Sequence, residues 1–202
     1  MVSQAIPIST ECRPLAISGV VLVSSGEPDQ IPEAIFGESL LARAVRLMRC
    51  ICSEVIVVSD HAEDELPGTR RVADSYRAAG PMGGIHAGLM HAARNEVLII
   101  SASLPLLSHD VMRFVGSYPS CENLILPVVA GTSQPLAARY GRSLIPSLEE
   151  VLGRVASTGD SSLASIADFL EHCQPRILDL ELYFGPSVRE QFGATHEALP
   201  RS

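Results

Sequence analysis

The sequence contains no lysine: its fifteen basic residues are all arginines, set against 23 aspartates and glutamates for a formal net charge of −8. No ε-amino group can therefore act anywhere in the chain, whether as base, nucleophile or phosphate anchor. An acidic surface does not gather nucleic acid or anionic lipid by bulk electrostatics, so no nucleic-acid or membrane partner is expected. A polyanion needs a local device here, such as backbone N–H groups or clustered arginines. Long apolar runs are missing as well, and none approaches the roughly eighteen residues that cross a bilayer. Residues 1–13 lack the basic start and apolar block of a secretory signal. The five cysteines are odd in number and have no paired metal-type spacing, which suits reduced thiols and a cytoplasmic location. Cys50 and Cys52 stand two apart on an expected helix and point in different directions, which argues against a shared metal.

What is present is 202 residues, 47% hydrophobic and 19% charged, enough to bury a core and sized for one α/β domain. The expected division is an N-terminal extension over 1–16, a single domain over 17–190 and a tail over 191–202. The clearest stretch is NEVLIISASLPLL at 95–107. Val97, Leu98, Ile99 and Ile100 form a run of strand rather than helix length, and the small residues Ser101, Ala102 and Ser103 follow. Such a strand is buried on both faces, as in parallel sheets covered by helices, where ligands sit past the carboxyl ends of the strands. Residues 101–105 should therefore line any site.

Strands are expected at 17–23 (ISGVVLV), 54–59 (EVIVVS), 70–73, 124–129, 134–140 and 177–182. A helix over 39–52 is capped by Ser39, with Leu40, Leu41, Ala44, Val45 and Met48 as its apolar stripe and Arg43, Arg46 and Arg49 largely opposite. Further helices are expected at 84–94, 108–116, 143–155 and 161–173. This succession, with short connections, implies a three-layer α/β fold with a doubly wound, mostly parallel, Rossmann-like sheet. In DSYRAAGPMGGIHAG, at 74–88, glycines and a proline precede a helix start. A turn of that kind lets phosphate meet unpaired N–H groups, although Gly80, Gly83 and Gly84 equally suit a tight turn and close packing.

GVVLV in the first strand, VADSYRAAGPMGGIHAGL in the middle, VLIISASLPLL after it and QPLAARYGRSLIPSLEEVL later together resemble the molybdenum cofactor guanylyltransferases, MobA-like members of the nucleotidyltransferase fold. The similarity covers residues 18–182, and its most specific piece is Gly80-Pro81-Met82-Gly83-Gly84-Ile85 with Asp74 six residues ahead. The resemblance implies transfer of GMP from GTP to molybdopterin, with Mg2+ and release of pyrophosphate. It also implies nucleotide-binding positions at Leu22, Ser24, Asp74, Gly83 and Gly84, and molybdopterin or a molybdoenzyme maturation protein as partner.

The chain departs from that family at three stations. The family's first loop carries an LAGG start, a serine, an Arg-Met-Gly group and a lysine. Here it reads Leu22-Val23-Ser24-Ser25-Gly26-Glu27-Pro28-Asp29-Gln30, with one glycine, no arginine and two carboxylates. No arginine lies between Arg13 and Arg43 to compensate, and Pro28 and Pro32 remove N–H donors. Ser103 stands where the family strand ends in a magnesium-holding aspartate, and a neutral hydroxyl anchors that hard cation poorly. Residues 182–187 (LYFGPS) hold neither asparagine of the family's Asn-x-Asn-Thr-Pro segment. No catalytic residue and no metal ligand are assigned. The expectation is a MobA-like protein with an impaired site; the alternatives are a non-catalytic module binding nucleotide, pterin or protein, and a nucleotidyltransferase that is still active with its metal relocated to Asp74 and Asp29 or Asp60. Plainer readings stand beside these. Asp74 also reads as a turn or cap residue. His86 and His91 lie about 140° apart around their helix, which does not make a metal pair. Ser103 lacks a G-x-S-x-G elbow, and Glu149, Glu150 and the first-helix arginines read as solvated faces.

Overall fold

The computed structural model describes residues 13–23, 34–35, 38–61, 66–76, 79–158 and 166–193. Along the chain run β1 (Leu15–Leu22), the short antiparallel pair β2 (Ala34–Ile35) and β3 (Glu38–Ser39), α1 (Leu40–Ile51), β4 (Cys52–Val58), β5 (Arg70–Val72) and α2 (Pro81–His91). Next come β6 (Glu96–Ser101), α3 (His109–Ser117), β7 (Leu124–Val129), β8 (Thr132–Ser133), β9 (Ala137–Gly141), α4 (Ile145–Thr158), α5 (Ile166–His172), β10 (Arg176–Asp179) and α6 (Glu181–Phe184). One eight-stranded sheet has the order β10-β7-β9-β6-β1-β4-β5, with β8 paired to β7.

The sheet is buried on both faces. Ile17, Val21, Leu98 and Ile100 pack toward α1 and α3, while Val20, Leu22, Val97 and Ile99 pack toward the layer that contains α2, α4 and α5. Alternate side chains of β1 and β6 thus feed two cores, which is why these strands read as unbroken apolar runs. In α1, Ser39 caps the helix by accepting a hydrogen bond from Ala42 N at 3.1 Å, and Ala44, Val45, Met48 and Ile51 form its buried stripe. Each of the larger three contributes about 1.5–3 kcal/mol by leaving water.

Three expectations are corrected. The strand expected at 134–140 is β9, which lies antiparallel to both β6 and β7; the parallel pattern holds for β6-β1-β4-β5 and for β7-β10. The helix expected from residue 84 begins at Pro81, so the glycines belong to its first turn. Proline suits that position because its missing N–H has no helical partner there, and Gly80 supplies the entry at φ 57°. The last strand stops at Asp179, whose Oδ1 accepts from Glu181 N at 3.1 Å and turns the chain into α6.

Helix α2 lies close on β1: a Cβ at Gly88 would sit 2.7 Å from Val20 Cγ1, and one at Gly84 would sit 3.2 Å from Leu22 Cδ2. Its last carbonyls are taken by side chains, with Arg142 Nε donating to Leu89 O at 3.0 Å and Arg70 Nη2 to His91 O, the usual use of basic groups at a helix C-terminus. Among the described residues no helix is long and apolar enough to cross a membrane.

Buried acids make the fold sensitive to alkali. Burial pushes the Cys52 thiol from 9.0 up to about 12, with nearby Glu54 adding to it, and pushes Cys173 up to about 11. Burial also raises Tyr140. Each folded-state pKa lies above the unfolded one, so this stability is complete below about pH 9 and is lost as the pH rises toward 12. The thermal midpoint is expected to fall progressively above pH 9 in a melting series. A midpoint flat from pH 8 to 11 would contradict this assignment.

Candidate functional site

The carboxyl ends of four parallel strands are laced together by backbone hydrogen bonds. Ala102 N donates to Leu22 O at 2.9 Å, Val23 N to Val58 O at 3.0 Å and Ser59 N to Val72 O at 3.0 Å, joining the ends of β6, β1, β4 and β5. The mouth they form is where a doubly wound sheet places ligands. Four of the five expected binding residues meet there. Leu22 ends β1 and touches the Gly84 position, and Asp74, two residues past β5, lies against Gly83. Ser24 and Asp29 fall outside the described residues.

Asp74 shows the turn geometry directly: its Oδ1 accepts from Tyr76 N at 2.7 Å. Its carboxylate oxygens stand 2.5 and 2.6 Å from where a Gly83 Cβ would be, in the first turn of α2. This changes the meaning of the glycine-rich segment. Its glycines do not form an open loop around an anion. They let a helix start pass beneath a carboxylate, so the negative charge that the helix dipole favours at this end is the protein's own.

At the end of β6, the Ser101 and Ser103 hydroxyls are 2.7 Å apart, and Ser103 N donates to Ser101 Oγ at 3.2 Å. Ser101 is buried. The two hydroxyls satisfy each other inside a tight strand-end turn, closed by Leu104 N donating to Ser101 O at 3.2 Å. Ser103 is thereby placed as a strand-end hydroxyl.

His86, buried on α2, sits 3.4 Å by its Nε2 from Glu149 Oε1 of α4 and meets the Tyr76 ring edge-on at 5.2 Å. It braces the segment that carries Asp74. Glu149, expected as part of a solvated face, therefore has a partner across the layer. His91 Nδ1 instead lies 2.9 Å from Ala87 O within its own helix. Among the described residues, no three His, Cys, Asp or Glu groups converge as a metal site.

The first-helix arginines are not simply solvated. Arg46 grips Glu38 at 2.9 Å, Arg49 donates to Pro67 O at 3.1 Å, and Arg43 Nε donates to Pro105 O. Arg43 is thereby tied to the turn after β6, a contact that sequence reasoning missed. Its only sequence signal was the absence of lysine, which leaves any cationic role at the site to arginine.

The fold defines the class: an α/β domain of the nucleotidyltransferase type, with a mixed, mostly parallel sheet. The profile of the MobA-like NTP transferase domain matches residues 33–175. A probable molybdenum cofactor guanylyltransferase of Chloroflexus aggregans is 30% identical over 168 residues, covering 81% of this chain and 74% of that protein. One of Clostridium perfringens is 28% identical over 100 residues, covering 49% of this chain and 50% of that protein, so the match spans about half of that relative. Among solved structures, molybdopterin-guanine dinucleotide biosynthesis protein A of Archaeoglobus fulgidus superposes with a TM-score of 0.66 at 15% identity, covering 87% of this chain and 89% of that one. This chain belongs to the MobA-like NTP transferase family.

Proposed function

We propose that the chain is a MobA-like protein of molybdenum cofactor biosynthesis, related to the enzymes that transfer GMP from GTP to molybdopterin, whose site binds nucleotide or pterin but is catalytically impaired. The observation that carries this reading is the Ser101–Ser103 hydroxyl pair at 2.7 Å, at the strand end where the resemblance calls for a magnesium-holding carboxylate. The donors there do not fit the implied Mg2+, since a hard cation takes carboxylate and phosphate oxygens and these hydroxyls are turned to one another. No chemical step is therefore routed through a metal. The implied phosphate lysine is missing from the whole sequence. One lost preorganised contact costs about 10²- to 10³-fold in rate, and several lost together reach the order of 10⁶-fold, though not additively.

The binding half of the reading rests on Leu22, Asp74, Gly83 and Gly84, with Ser24 as the fifth proposed position. Molybdopterin or a molybdoenzyme maturation protein is the proposed partner. The exposed thiols of Cys50 and Cys121 suit a reducing cytoplasm. Calorimetry with GTP and with molybdopterin, followed by chromatography of the mixture, tests this reading. Heat of binding with nucleotide recovered unchanged is expected, and magnesium-dependent consumption of GTP would refute it. Asp74→Asn keeps the acceptor for Tyr76 N and removes the charge. It is expected to weaken nucleotide binding about 10- to 100-fold, as loss of a charge-assisted hydrogen bond does, with the melting point nearly unchanged. Equal affinities would remove Asp74 from the site.

A further inference from the structure

We propose that Arg43 is the phosphate-binding cation of the mouth, taking a phosphate monoester or pyrophosphate group without a metal. The proposal rests on the nucleotide- or pterin-binding reading above and says how such a ligand's anionic end is held.

A chain without lysine can hold phosphate by side-chain charge only through arginine. Many of the described arginines are engaged away from the mouth. Arg142 and Arg70 close the C-terminal end of α2, Arg139 Nη1 donates to Gly116 O at 3.1 Å, Arg113 Nη1 to Arg13 O at 3.1 Å, and Arg189 grips Glu181. Two donate at the carboxyl edge of the sheet. Arg71 Nη1 reaches Ser59 O at 2.9 Å on the β5 side. Arg43 reaches Pro105 O, two residues past Ser103, in a partly buried hydrogen bond between residues 62 apart in sequence.

Three features favour Arg43. Its bond to Pro105 uses Nε and not the terminal Nη1–Nη2 fork that grips phosphate oxygens in pairs. The carboxylate nearest it in sequence, Glu38, is held by Arg46 through both oxygens at 3.1 and 2.9 Å, so the charge of Arg43 is not the one Glu38 chiefly neutralises. The anchor also ties the guanidinium to the turn that carries the Ser101–Ser103 pair, the wall of the mouth that has lost its expected carboxylate and so repels an anion least. A guanidinium anchored two residues past Ser103 suits an uncomplexed phosphate better than a magnesium-bound triphosphate, because magnesium would compete with it for the same oxygens. The ligand class is thus a phosphate ester, whether of a nucleoside or of a pterin.

The test is calorimetry on the full chain in metal-free buffer, with pyrophosphate, GMP, guanosine and molybdopterin as titrants. Wild type, Arg43→Gln, Arg43→Lys and, as a control at the amino end of β6, Arg94→Gln are compared. Arg43→Gln should weaken pyrophosphate, GMP and molybdopterin binding about 10- to 100-fold and leave guanosine unchanged. Arg43→Lys, which keeps the charge and loses the fork, should fall between, and Arg94→Gln should stay within about twofold. Added Mg2+ should weaken wild-type pyrophosphate binding. The relative sizes of the GMP and molybdopterin losses tell the nucleoside from the pterin source. Unchanged pyrophosphate affinity in both Arg43 variants, tightening by Mg2+, or no phosphate binding by the wild type would each overturn the proposal. GMP bound by both variants as tightly as by the wild type would overturn it while leaving the impaired-site reading intact, whereas GTP turnover by the wild type would overturn that reading instead.

Discussion

Alanine at Gly83 is expected to lower the unfolding free energy by about 2–4 kcal/mol. The added Cβ would lie 2.5 and 2.6 Å from the Asp74 carboxylate oxygens and 2.6 Å from Tyr76 O. A side chain can rotate away from such a clash, but a backbone carbonyl cannot, and the Asp74 carboxylate is held by its bond to Tyr76 N. Either α2 shifts off β1, opening the contacts of Gly84 and Gly88 with Leu22 and Val20, or the Asp74 turn breaks. Two comparisons show that the effect belongs to this place and not to glycine in helices generally. Gly84→Ala would press a Cβ to 3.2 Å from the end of the Leu22 side chain, which can yield, so a smaller loss is expected. Gly153, exposed on the outer side of α4, has nothing within 4 Å of its would-be Cβ, and alanine there should stabilise by about 0.5–1 kcal/mol. Urea unfolding midpoints at constant slope check all three. A Gly83→Ala midpoint equal to wild type would refute the packing of Asp74 on the helix start.

Restoring one missing part is expected to leave nearly the whole of the proposed catalytic deficit in place. Ser103→Asp returns a carboxylate to the end of β6 and breaks the hydroxyl pair with Ser101. It should create Mg2+ binding measurably tighter than that of the wild type, because one carboxylate with substrate phosphates is a common magnesium set. Turnover is different, because groups that act as a unit do not contribute independently. With no lysine in the chain and with Glu27 and Asp29 in the stretch after β1, the variant should recover no more than about 10²-fold of the proposed deficit, which is on the order of 10⁶-fold. Pyrophosphate release from GTP with molybdopterin, measured with and without chelator, gives the answer. Full family-like turnover from this single change would mean that the phosphate end of the site is intact.

Much of this architecture was legible because burial and local chemistry write it into the chain. β6 could be read from four consecutive apolar residues, and the start of α1 from a serine ahead of an amphipathic stripe. The start of α2 was misplaced because proline and glycine usually punctuate. Here proline occupies the one helical position that suits it, and Gly84 and Gly88 answer to Leu22 and Val20, more than sixty residues earlier. Strand direction is not encoded in an apolar pattern, so the antiparallel insertion of β9 between β6 and β7 could not be read. In the site, Ser103 stood out only against a family pattern. Arg43 was hidden because three arginines at helical spacing look like a solvated face, and its partner, Pro105, is brought to it by the fold alone.

The most direct test is a single-turnover experiment: protein in excess over γ-labelled GTP, with Mg2+ and molybdopterin, followed for labelled pyrophosphate. No release above the protein-free control is expected while GTP or molybdopterin is bound. Magnesium-dependent release that is stoichiometric with the protein, with GMP joined to molybdopterin, would contradict it.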